Sequence, residues 1–134
     1  MKIYTSYFAN LKKLQESGIV PIGIALYPPK WFKGHFIKQL APYSYMLSDS
    51  ITEEKYIRLY KEGVLRHLSA SNIKSHIERL AKDCDVALLC YEKPEDFCHR
   101  HIVADWLREN TGIEVTEFEV KQIVKKEFMQ TSLF

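Results

Sequence analysis

The chain has 134 residues, of which 46% are hydrophobic and 27% charged, with a net charge of +2. That is enough to bury the core of one ordinary domain without staples, and these are the proportions of a folded globular protein rather than a disordered or fibrous one. The charge balance permits a phosphate-bearing partner. It stays below the pI above ~9 of a dedicated nucleic-acid domain.

No apolar run approaches the ~20 residues of a membrane span, and the start MKIYTSYFANLKKL turns polar too early for a secretory signal. A cytoplasmic protein with no membrane association is the expectation, as a monomer or small homo-oligomer. The three cysteines are an odd number, which speaks against a disulfide framework and for reduced thiols.

In chain order, Lys2 to Phe8 is rich in β-branched and aromatic residues and predicts a first strand. Asn10 to Ser17 predicts a short helix stopped by Gly18. Ile19 to Leu26 is nearly all apolar, the pattern of a strand covered on both faces. Tyr27 to Asp49 carries three prolines and six aromatic residues, and predicts a structured excursion over one end of the sheet. Ser50 and Glu53 form a capping-box pair opening a helix through Leu65, and a further helix runs from about Ser71 to Lys82.

Val86 to Cys90 predicts a third, buried strand. Pro94 opens a helix that stops near Gly112, with Glu95 and Asp96 where its dipole favours negative charge. Ile113 to Phe118 alternates as a fourth strand, followed by a helical tail from Glu119 to Phe134. Strands separated by helical patterns predict one α/β domain: an open, mainly parallel sheet of about four strands with helices on both faces.

In such a sheet the carboxyl ends share one edge, the usual place for ligands. That edge collects Tyr4 to Tyr7, Tyr27 to Trp31, and the stretch from Cys90 to Arg100. Cys98 falls in the first turn of its helix, where dipole and arginine favour thiolate while Glu95 and Asp96 oppose it. Cys90 reads as a packed side chain beside the site, and Cys84 as structural.

His99 and Arg100 are adjacent and diverge by ~100° around a helix, so they do not serve one pocket equally. His99 has two readings, an acid–base group or a half-buried histidine bonded to a strand end. Arg100 either forks onto a phosphate or carboxylate, or pairs with Glu92, Glu95 or Asp96. Cys90, Cys98, His99 and His101 lack zinc-ligand spacing, so no metal site is assigned. Lys30, Trp31, Lys33 and His35 interleave charge with rings as single-strand binders do. The competing reading is a loop pinned to the sheet by Trp31, Phe32 and Phe36.

The segments YTSYFAN, IALYPPKW, LAPY and above all LLCYEKPEDFCHRHIVADWL resemble the bacterial and phage family called domain of unknown function 488, from Ile3 to Glu117. The resemblance implies an α/β domain and importance for Cys90, Glu92, Cys98, His99 and Arg100. Many relatives carry an acidic and arginine-containing segment where this chain reads LYPPKW.

The leading functional expectation is an enzyme-like domain that binds a nucleotide, nucleoside or nucleic-acid end at the strand ends. Arg100 would hold an anion, Tyr7 or Trp31 would stack a ring, with Lys30 and Cys90 beside them, and Glu92, Cys98 or His99 would carry proton or covalent chemistry. The rival is a non-catalytic interaction module in which these residues form a structural network, and a second rival is a small zinc-binding domain. The residues identify no cofactor.

Overall fold

The structure is a computed structural model that describes residues 1–48, 50–91 and 99–118. Five strands form one sheet: β1 (Ile3–Tyr7), β2 (Val20–Gly23), β3 (His35–Phe36), β4 (Val86–Cys90) and β5 (Val115–Glu117). Their spatial order is β3-β2-β4-β1-β5, and every pairing is parallel. The helices are α1 (Leu11–Glu16), α2 (Glu53–Gly63), α3 (Ala70–Ala81) and α4 (His99–Thr111). The open α/β architecture expected from the alternating patterns is present, with one strand more than expected.

The additional strand is β3, inside the excursion, where His35 pairs with Ile22 and Phe36 with Gly23. Two residues are too few for periodicity to register. The second strand is also shorter than its apolar run, because the chain leaves the ladder after Gly23. Gly18 and Gly112, both at φ +72°, supply the left-handed stops anticipated after the first and last described helices.

Strand parity sorts the core into two layers. Ile3, Ile22, Val86, Leu88 and Val115 face α2, α3 and α4. Ala87 and Leu89 face the other way, where Phe8, Leu14, Phe32 and Phe118 cover them. All five residues of β4 are buried, as its uninterrupted apolar sequence requires of a central strand covered on both faces.

The capping box placed at Ser50 and Glu53 is not the one the chain uses. Thr52 takes the extended backbone of an N-cap (φ −72°, ψ 161°) and its hydroxyl accepts from the Lys55 N–H at 3.2 Å. Ser50 instead pairs with the Ser48 hydroxyl at 2.8 Å. Both residues carry a hydroxyl, and the later one sets Glu53 and Glu54 at the first two helical positions, where the dipole favours them. Thr52→Ala is therefore expected to cost about 1 kcal/mol in a urea melt, and Ser50→Ala less than about 0.5 kcal/mol. The reverse ranking would restore the capping box.

Candidate functional site at the carboxyl edge of the sheet

Register brings a polar group together on the face that α4 covers. Thr5 lies opposite Glu117 across the β1–β5 ladder, and Tyr7 lies opposite Cys90 across the β1–β4 ladder. Thr5 and Tyr7 share the parity of Ile3, Cys90 that of Leu88, and Glu117 that of Val115, so all four face α4. At its start α4 lowers Arg100 among them.

Arg100 is fully buried, with 0% of its surface exposed. Its Nε donates to Glu117 Oε1 at 3.1 Å and its Nη2 to Oε2 at 3.3 Å, the two-pronged geometry that suits guanidinium and carboxylate. Its Nη1 lies 2.8 Å from Cys90 Sγ, and its Cζ sits 5.9 Å from the centre of the Tyr7 ring. Thr5 Oγ1 donates to the same Glu117 oxygen at 2.6 Å. Glu117, with 17% of its side chain exposed, is thus oriented from two sides at the rim of the sheet.

Arg108, near the end of α4, donates to the Val115 carbonyl and so fixes β5 beside the helix that carries Arg100. The carboxylate that pairs with Arg100 within the described residues is therefore one the sequence reading did not name. Its only local signal is the alternation of Val115 and Glu117. Glu92, Glu95, Asp96 and Cys98 lie outside the described residues.

His99 points away from this group, as one residue of helical rotation requires. Its Nε2 lies 2.8 Å from the Ile24 carbonyl oxygen at the end of β2, and its ring packs 5.4 Å from that of Tyr60 on α2. A carbonyl only accepts, so the neutral imidazole carries its proton on Nε2. Burial drives the His99 pKa down from 6.5 to about 4; the bond to Ile24 opposes the shift and the Arg100 charge adds to it. The histidine bonded to a strand end is the reading that this geometry matches.

Cys90 is disulfide-bonded, while Cys84 is free and exposed. This corrects the expectation of reduced thiols. An odd count excludes complete pairing but allows one pair and a remainder. Trp31 and Lys30 lie elsewhere, on the exposed turn before β3 beside α1 and the start of β2. Among the described residues no three of His, Cys, Asp and Glu are grouped to hold a metal, and no helix is long and apolar enough to cross a membrane.

A family model described as the active DUF488-N3 subclade, DUF488-N3a, matches residues 6–111, well over half of the chain. The chain belongs to the DUF488 family. The matched span holds the DUF488 elements that carry Tyr7, Cys90, His99 and Arg100, and ends before β5. Thr5, which donates to Glu117, and Glu117, which accepts from the Arg100 guanidinium, lie just outside the matched residues at either end. No curated protein and no solved structure matches the chain.

Proposed function

We propose that this chain is an enzyme-like domain that takes a nucleotide, nucleoside or nucleic-acid-derived anion at the carboxyl edge of its sheet. The observation that carries the reading is Arg100: a guanidinium with no exposed surface, forked onto Glu117 at the strand-end rim. Buried ion pairs are weak stabilisers, because desolvation consumes most of the Coulombic gain and apolar side chains of similar volume serve as well or better. A buried arginine at the ligand-binding edge of a parallel sheet therefore fits a role in holding site geometry. The description of the family model as an active subclade supports the enzyme-like part of this reading.

In this reading Arg100 positions Glu117, and Tyr7 at the end of β1 offers a ring. Glu92, between β4 and α4 in the sequence, supplies proton chemistry, while His99 fixes the start of α4 against β2. The test is thermal denaturation of the full chain with a panel of nucleosides and nucleotides. A ligand at one hundred times its Kd adds about 2.7 kcal/mol, a shift of several degrees. Glu92→Gln and Arg100→Lys are each expected to abolish that shift; a shift retained in both variants would remove the assignment.

One observation favours a second reading. Nε, Nη1 and Nη2 of Arg100 are all bonded within the protein, as in an interaction module whose strand-end residues form a structural network. That reading predicts no nucleotide-induced shift in the parent chain and a lowered Tm in Arg100→Lys.

A further inference from the structure

We infer that the surface between α1 and the turn before β3 is a docking site for single-stranded nucleic acid. The inference begins with which aromatic residues hold that turn down. Phe32 is buried, 5.0 Å from the Phe8 ring and 5.2 Å from that of Phe36, in edge-on contacts that pin the turn to the sheet. A Cβ at Gly34 would lie 2.5 Å from the Phe32 ring, so glycine lets the turn close over it. Trp31 takes no part in this anchoring and leaves 58% of its surface exposed.

Residues 31 to 35 alternate outward and inward, which sets Trp31, Lys33 and His35 outside. With Gln15 of α1 and Pro21 of β2 they line a groove of about 400 Å³, within the range of small-ligand sites. Cations outnumber carboxylates around it. The sequence contains no carboxylate between Glu16 and Asp49, while Lys30 and Lys33 of that stretch are exposed, as are Lys12 and Lys13 on α1. Of the acids at its margin, Glu16 is a single exposed residue and the Asp85 carboxylate accepts from the Lys2 backbone N–H.

An exposed indole flanked by cations matches the chemistry of an unpaired strand, which offers a π-face to stack and a phosphate per residue to neutralise. A duplex keeps its bases stacked on one another, and an acidic peptide supplies charge without a ring at each step. The inference is independent of the strand-end reading, which is tested with mononucleotides.

The experiment is fluorescence anisotropy of labelled oligodeoxythymidine and oligouridine with the full chain across a salt series. Affinity is expected to fall with salt at a log–log slope of about −0.7 per neutralised phosphate, and Lys33→Ala to lessen that slope by about 0.7. Trp31→Ala is expected to weaken binding about 5- to 150-fold, with Trp31→Phe recovering most of it and circular dichroism unchanged in both. Preference for only one of the two oligomers leaves the inference standing and identifies the strand as DNA or RNA. It is overturned by no binding at low salt, by an unchanged Kd in Trp31→Ala, or by equal affinity for a duplex, polyglutamate or anionic vesicles.

Discussion

Arg100→Ala is expected to destabilise the protein by about 3–5 kcal/mol, the cost of breaking a buried ion pair from one side. The Glu117 carboxylate, 17% exposed, would keep the Thr5 hydroxyl and lose both guanidinium bonds. The stump would also leave unfilled volume beneath α4, because Arg100 is among the largest fully buried side chains of the chain. Arg100→Lys is expected to recover only part of this loss, since one ammonium does not reproduce a two-pronged contact.

The control that isolates the charge is the pair Arg100→Met with Glu117→Leu. Removing both partners leaves no uncompensated charge, so the double variant should be more stable than Arg100→Met alone. Urea melts of the four chains close the cycle. An Arg100→Ala loss below about 1 kcal/mol, the range of an exposed pair, would mean that the guanidinium is not the keystone of this edge.

The second large effect is on pH. His99 has an unfolded pKa of 6.5 and a folded pKa of about 4, so between those values the unfolded chain binds the extra proton. Stability therefore rises with pH through this window. It is fully present above pH 6.5 and falls as pH drops towards 4, by about 3 kcal/mol in total at 1.36 kcal/mol per pH unit. His101, half-buried with its pKa lowered first by desolvation and then by Arg100, adds a smaller term of the same sign. His99→Gln keeps a donor for the Ile24 carbonyl and removes the titration. Its unfolding free energy should be flatter than that of the parent between pH 7 and 4, and parallel curves would show that another group carries the acid sensitivity.

Much of the frame was legible because burial is written locally. The uninterrupted apolar run of Val86 to Cys90 announced a buried strand, Gly18 and Gly112 announced helix ends, and the alternation of strands with helices announced a parallel sheet with one ligand-bearing edge. The adjacency of His99 and Arg100 was enough to say that they diverge, and they do, one towards Ile24 and Tyr60, the other towards Tyr7, Cys90 and Glu117.

Partner choice was another matter. Among the described residues Arg100 forks onto Glu117, which the β1–β5 ladder places opposite Thr5. Thr5 and Glu117 are 112 residues apart. Likewise the two-residue β3 exists only because β2 lies beside it, and the exposure of Trp31 follows from Phe32 and Phe36 filling the space beneath the turn. Hydrophobic periodicity and helix stops are properties of short stretches of chain and needed only the sequence. Which acid meets the arginine, and which ring is left for solvent, depend on strand register and on competition for finite core volume, and those arise only once the sheet has assembled.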